Sequence, residues 1–198
     1  MDLDQIRAQL FQTSASYDRI ALLEKNAERI KQEIPPFQQN IVTGSRGQEE
    51  WNNEDGAQLA RDLTSEWIMG WNPSKTWFNF PLMYHDTSIA DAEKVCPNTI
   101  ALLGKMGGIN VAGYALLLPQ SKLIVHHDAT GPSFGSMALN MLLEGQGSLY
   151  VEPDETDQKF FEKKLLFGKA VIFNSELRHY AENMGELARV ILYVDFQT

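Results

Sequence analysis

The stretch His126-His127-Asp128, with a further histidine at position 179, holds the side chains of this chain best suited to binding a metal ion. On an extended strand alternate side chains share a face, so Ile124, His126 and Asp128 project one way and Val125 and His127 the other. His126 and Asp128 then offer an imidazole nitrogen and a carboxylate oxygen to one ion. His179 supplies a third donor where its own strand returns to the same mouth. Two histidines and one carboxylate on one face of an octahedron hold non-heme Fe(II) with three positions open. Taken alone, a His-x-Asp occurs often by chance and fits a surface pair. A bulged strand would put His127 in the place of His126, but alternation favours His126. His85 precedes the polar run Asp86-Thr87-Ser88 and reads as a loop histidine.

Arg189 opens an apolar strand that runs to Phe196. One reading makes it an exposed strand-end charge, or a partner for Glu182 or Glu186. The other makes it a buried guanidinium awaiting a dicarboxylate, because its fork of donors pairs two oxygens at once.

The elements that must position these residues fall into two parts. Leu3, Ile6, Leu10 and Phe11 form the apolar stripe of a first helix, with Ser14 and Ser16 as stop and cap. Ile20, Leu23, Ala27 and Ile30 share one face of a second, which ends near Ile34 because a residue preceding proline is pushed out of the helical region. This helical pair reads as a packing buttress or a dimer surface. Asn40 to Thr43 reads as extended and Gly44 to Glu50 as a polar loop. Asp55 caps a third helix covering Leu59, Ala60, Leu63 and Trp67. Trp77 to Leu82 reads as a strand, and a helix of about ten residues starts at Pro97, where a missing N–H costs nothing. Beyond Ile109 the strands are Leu123 to Asp128, Met137 to Leu143, Ser148 to Val151, Lys169 to Phe173 and Val190 to Phe196. Short strands with turn residues between them indicate an antiparallel sandwich or barrel. Trp71, Trp77, Phe78 and Tyr114 read as core aromatics, one or two of which line a pocket. The expected organisation is a single domain over 1–198, helical over 1–70 and β-rich over 77–198.

Composition bounds the function. Lys and Arg number 17 against 26 Asp and Glu, a net charge of −9, which argues against a phosphate backbone as partner. With Cys96 as the single cysteine, neither an internal disulfide nor a cysteine-based zinc site can be built. The N-terminus lacks a basic segment followed by an apolar one, and no apolar run approaches the roughly 20 residues that span a bilayer. A cytoplasmic protein without nucleic-acid or membrane partners is the expectation, with a homo-oligomer possible.

Between Trp77 and Phe196 the sequence resembles the aspartyl/asparaginyl β-hydroxylase-like group of Fe(II)/2-oxoglutarate dioxygenases. The resemblance runs through Phe80-Pro81-Leu82, Cys96-Pro97-Asn98-Thr99 with Leu102-Leu103, and Tyr114 to Pro119. It continues through Ile124 to Asp128 with Gly131-Pro132, then Gly168 to Phe173, and closes with His179, Asn183, Arg189 and Val194-Asp195-Phe196. It implies a mainly β fold with N-terminal helices: a double-stranded β-helix, or cupin-like jelly roll, with helices packed on one sheet. It makes His126, Asp128 and His179 the iron ligands and catalytic centre, and Arg189 the partner of the distal carboxylate of the co-substrate 2-oxoglutarate. Some relatives carry a glycine where this chain has Asp128, so the chain is similar to those with a complete triad. Relatives often show an Arg and a His two residues apart on the next strand. Ala138 and Asn140 stand there instead, leaving Ser136 or Asn140 to bind the co-substrate through neutral hydrogen bonds.

The implied activity is 2-oxoglutarate-dependent hydroxylation of an unactivated C–H, in an amino acid, a peptide side chain or a small metabolite. The expected partner is therefore a small molecule or short peptide. Two alternatives are a non-catalytic jelly-roll binding protein and a cupin-like metalloenzyme that does not use 2-oxoglutarate. A functional Arg189 separates the last from the first, since only a 2-oxoglutarate enzyme needs a buried guanidinium there.

Overall fold

A computed structural model describes residues 2–37, 66–70, 73–89, 91–128, 137–153 and 159–197. The expected Asn40–Thr43 strand, the Gly44–Glu50 loop, the helix from Asp55 through Leu63, Trp71 and Ser136 lie outside them.

Alternating side chains build two facing antiparallel sheets. The larger contains β1 (Ile68–Met69), β2 (Trp77–Tyr84), β4 (Ile109–Leu117), β11 (Arg189–Phe196), β6 (Met137–Glu144) and β9 (Ala170–Asn174) in that order, with β3 (Thr87–Ser88) paired to β2. The smaller runs β5 (Ser121–Lys122), β10 (His179–Asn183), β7 (Ser148–Val151) and β8 (Phe161–Lys164). Consecutive strands repeatedly cross from one sheet to the other, which gives the double-stranded β-helix of cupins and jelly rolls. The fold is mainly antiparallel β with few helices, and the implied architecture holds.

Each strand of the large sheet divides its residues between two surroundings, as a period of two requires. On β11, Val190, Leu192, Val194 and Phe196 join the main core with Ile20, Leu23, Ala27 and Ile30 of the N-terminal helices and Leu102, Leu103 and Met106 of α5 (Pro97–Met106). Helices therefore cover the outer face of the large sheet. The opposite residues of β11 face the space between the sheets.

The helical region carries α1 (Leu3–Leu10), a 3₁₀ turn (Ser14–Ser16), α2 (Asp18–Lys25) and α3 (Ala27–Lys31), followed by α4 (Ala92–Val95) and α5. The single helix expected from Ile20 to Ile34 is broken at Asn26, whose φ of −112° and ψ of 15° are not helical. Its side-chain amide bonds back to the Leu22 carbonyl at 2.8 Å, the local competition that makes Asn a poor helix-interior residue. The four apolar residues nevertheless stay on one buried face, as a buttress demands. After α1 the chain joins the edge of β9, where Gln12 and Ile172 exchange N–H···O bonds of 2.7 and 3.0 Å.

Residues 123–128 correct one expectation. Only Ser121 and Lys122 form a strand, opposite Asn183 and Glu182 of β10. The next pairing joins His126 to His179, so this side carries one residue more than its partner between the two pairings. That extra residue makes a bulge, and Ile124 and Val125 are both exposed there. Ile124 does not share the face of His126.

Candidate metal centre

Because the bulge falls before His126, alternation resumes beyond it: His126 and Asp128 turn inward and His127 stays exposed. The backbone of His126 bonds to His179 in both directions, which sets the two rings side by side with centroids 4.4 Å apart. One donor atom from each of His126, Asp128 and His179 lies within 4.8 Å of the other two. The Asp128 carboxylate stands 3.8 Å from each Nε2, through Oδ1 to His126 and Oδ2 to His179.

Hydrogen bonding fixes how each ring presents itself. His126 Nδ1 lies 2.8 Å from the Ile124 carbonyl and His179 Nδ1 2.8 Å from that of Leu177. A carbonyl only accepts, so both Nδ1 atoms donate, and Nε2 is the nitrogen that each ring turns toward Asp128. Burial, reinforced by the His179 ring and only partly offset by Asp128, pushes the His126 imidazole down to about 4. The ring is therefore neutral at physiological pH. Two imidazole nitrogens and a carboxylate oxygen gathered at one mouth suit a divalent transition metal. Phe173 packs its ring edge-on against His179, centroids 5.0 Å apart.

The three side chains line a cavity of about 260 Å³ between the sheets, shared with Arg189 and Asn140. Arg189 is 3% exposed, which excludes the strand-end reading. No carboxylate lies within ion-pairing distance of it among the described residues, so Glu182 and Glu186 are not its partners. Its Nε and Nη2 atoms are buried without a hydrogen-bond partner there. Burial lowers its pKa to about 10, which still leaves it charged at neutral pH. A buried cation with no counter-charge is costly, and the cavity is where an anion would relieve it. Gly147 packs against this arginine: a Cβ on it would meet Arg189 Cδ at 2.5 Å.

Asn140 is buried on β6, and its Oδ1 lacks a partner among the described residues. Ala138 belongs instead to a second apolar cluster with Leu10, Phe11 and Phe173. Asn183 serves the fold. Its amide donates to the carbonyls of Leu117, Leu118 and Leu187 and accepts from the Gly185 N–H. His85 occupies the exposed β2–β3 turn at φ 46°, as expected of a loop residue. Phe78 and Tyr114 are core residues, and Trp77 and Tyr114 both border the cavity.

Tyr193 was not singled out from sequence, yet its hydroxyl donates to Asp128 Oδ2 at 2.9 Å. Loss of water and the Asp128 charge push that hydroxyl well above its usual pKa. The signal that finds it is the period of β11: Arg189, Ile191, Tyr193 and Asp195 all line the cavity.

Among the described residues no helix is long and apolar enough to cross a membrane. The sequence is 24% identical over 169 residues to the uncharacterized protein L888 of Acanthamoeba polyphaga mimivirus, covering 81% of this chain and 60% of that one. It is 29% identical over 123 residues to an ornithine lipid ester-linked acyl 2-hydroxylase of Rhizobium tropici, covering 61% and 41%. The chain thus spans less than two thirds of either curated relative. Among solved structures, an oxidoreductase of the 2OG-Fe(II) oxygenase family from Burkholderia pseudomallei aligns with a TM-score of 0.46 at 16% identity, covering 71% of this chain and 75% of that one. The aspartyl/asparaginyl β-hydroxylase family matches residues 24–198, reaching back from Trp77 into the N-terminal helices that the sequence resemblance left out. With its match running from α2 through the last strand, this chain belongs to the aspartyl/asparaginyl β-hydroxylase family.

Proposed function

We propose that this protein is an Fe(II)/2-oxoglutarate-dependent dioxygenase that hydroxylates an unactivated C–H of an amino acid, peptide side chain or small metabolite. The observation that carries this reading is the pairing, in one cavity, of the His126–Asp128–His179 cluster with a buried Arg189 guanidinium whose Nε and Nη2 have no hydrogen-bond partner among the described residues. Membership of a hydroxylase family supports it.

In this reading His126 Nε2, His179 Nε2 and an Asp128 oxygen hold the iron. When bound, Fe(II) supplies the activation of dioxygen that couples oxidative decarboxylation of 2-oxoglutarate, to succinate and CO2, with hydroxylation of the substrate. The chain's own residues bind and orient. The carbonyls of Ile124 and Leu177 lock both imidazole tautomers. Arg189 pairs the distal carboxylate of 2-oxoglutarate through its fork of donors, and Asn140 contributes neutral hydrogen bonding from the same wall. Trp77, Pro81, Val111 and Ile191 exclude water from the space where the substrate's hydrocarbon part lies. A charge-neutralising contact made in such a dry site is stronger than in water.

The test is a screen of amino acids, short peptides and small metabolites for substrate-stimulated succinate release with Fe(II), 2-oxoglutarate and dioxygen. Stimulated release that stops on iron chelation is expected. Iron and 2-oxoglutarate failing to bind the purified protein would overturn the proposal.

A further inference from the structure

Asp128 differs from the two histidines in how it is held. His126 and His179 are locked to each other through their backbones. Asp128 sits on an irregular segment, where its described backbone bond is the N–H to the Ser175 carbonyl at 3.0 Å. A carboxylate so placed has free rotation about its side-chain bonds unless something else restrains it. Tyr193 supplies the restraint. Its Cα belongs to β11, paired on one side with Gly113 of β4 and on the other with Asn140 of β6, so its backbone is framed by strands on both sides. From there the phenol reaches across the cavity to Asp128 Oδ2. That bond occupies one oxygen and leaves Oδ1, 3.8 Å from His126 Nε2, as the oxygen without a phenol.

We infer that Tyr193 is a positioning residue for metal binding: its hydroxyl, anchored on the central strand of the large sheet, holds the Asp128 carboxylate in the orientation that completes the ligand set. This rests on the reading of His126, Asp128 and His179 as metal ligands. The same strand face then carries both Arg189 and the tether of the charged ligand, so one element registers the co-substrate anchor against the metal.

The experiment titrates Co(II), as the metal probe, into the metal-free 198-residue chain without 2-oxoglutarate or substrate. Affinity is read from the visible absorption of the bound ion. Y193F is expected to weaken Co(II) binding roughly tenfold to a hundredfold, as when an outer hydrogen bond to a metal ligand is removed, with the far-ultraviolet circular dichroism unchanged. D128E leaves the tyrosine and the sheets intact while moving the carboxylate past the phenol. It is expected to lose affinity at least as far, and adding Y193F to D128E should cost nothing further, the non-additivity of residues acting through one contact. Equal Co(II) affinity in Y193F and wild type overturns the inference and leaves the metal site standing. So does additivity of the two substitutions. Absence of Co(II) binding by wild type overturns both.

Discussion

His126 and His179 are each other's backbone partners: the His126 N–H donates to the His179 carbonyl at 2.9 Å and the His179 N–H to the His126 carbonyl at 2.7 Å. A mutually bonded antiparallel pair places two side chains directly opposite on one face. Residues far apart in the sequence thereby become neighbours, and the separation of their imidazoles follows from strand pairing. His127, between His126 and Asp128, is turned to solvent by the same pairing.

This geometry separates two adjacent histidines by their consequences. H179A and H126A are each expected to abolish turnover and weaken iron binding severely, while H127A leaves iron affinity within about twofold of wild type. Iron titration of the three purified variants checks this. Loss of iron in H127A with retention in H126A would mean that the bulge before His126 is misplaced.

Arg189 gives a prediction with opposite signs for stability and function. Removing one partner of a bound charge pair weakens binding by an order of magnitude or more, so R189M should raise the 2-oxoglutarate concentration needed for half-maximal activity at least tenfold. Replacing a buried cation that has no carboxylate partner among the described residues by an apolar side chain of similar length removes a desolvation cost. The ligand-free R189M protein should therefore melt no lower than wild type. A large drop in its melting temperature would show that the guanidinium has a structural partner.

Gly147 tests the same pocket from behind. A methyl group there would meet Arg189 Cδ at 2.5 Å, Arg189 Nε at 3.0 Å and the Glu182 carbonyl oxygen at 2.7 Å. The arginine must shift, and because the Glu182 carbonyl belongs to β10 and is held there, the backbone at position 147 must draw back from it as well. G147A is expected to weaken 2-oxoglutarate binding several-fold while leaving Co(II) affinity unchanged. Isothermal titration with each ligand reads the two effects separately.

The parts of the site set by local periodicity were legible in the sequence, and those set by long-range pairing were not. The apolar run to Phe196 marks its strand in the sequence but leaves Arg189 open between an exposed strand end and a buried guanidinium, which its 3% exposure decides, and Pro97 marks the start of α5 where the structure has it. Alternation predicted a continuous Leu123–Asp128 strand and missed the bulge, because an extra residue is defined only by its partner, here His179. Tyr193 carried the alternation signal too, but its meaning depends on Asp128 crossing the cavity to meet it. The break at Asn26 went unread because the apolar stripe continues across it. The strand Phe161–Lys164 was missed because two lysines and a glutamate follow its one apolar residue, a composition that suits a sheet edge.

Cys96 is 0% exposed, and its thiol is pushed up to about 12 by burial, with the Glu33 charge adding to it. The thiolate is the reactive form. Native protein at pH 8 is expected to be inert to a disulfide reagent over hours and to react with one equivalent once unfolded in denaturant. Rapid labelling of the native chain would contradict this packing.

Glu33 ties the N-terminal helices to α5. Its carboxylate accepts the backbone N–H of Asn98 at 2.9 Å and of Thr99 at 2.7 Å, with the side chains of both residues also donating to it. These are first-turn donors of α5 that no helical carbonyl can satisfy, and a carboxylate there also faces the positive end of the helix dipole. Burial works to raise the pKa of Glu33, but the hydrogen bonds together outweigh it and hold the group below its ordinary value. A carboxyl with a lowered folded pKa contributes stability that is complete above its unfolded pKa and is lost as pH falls through the folded value. In E33Q one oxygen becomes an amide that cannot accept from Thr99, and the charge is gone. Loss of such a cap costs about 1 kcal/mol, which lowers the melting temperature by about 3 °C for a chain of this size. The deficit should be present at pH 7 and shrink as the pH falls through the lowered folded pKa of Glu33, where the wild-type carboxyl itself takes up a proton. Melting curves of the two proteins across that range decide it: a deficit independent of pH would mean that Glu33 contributes shape and no charge.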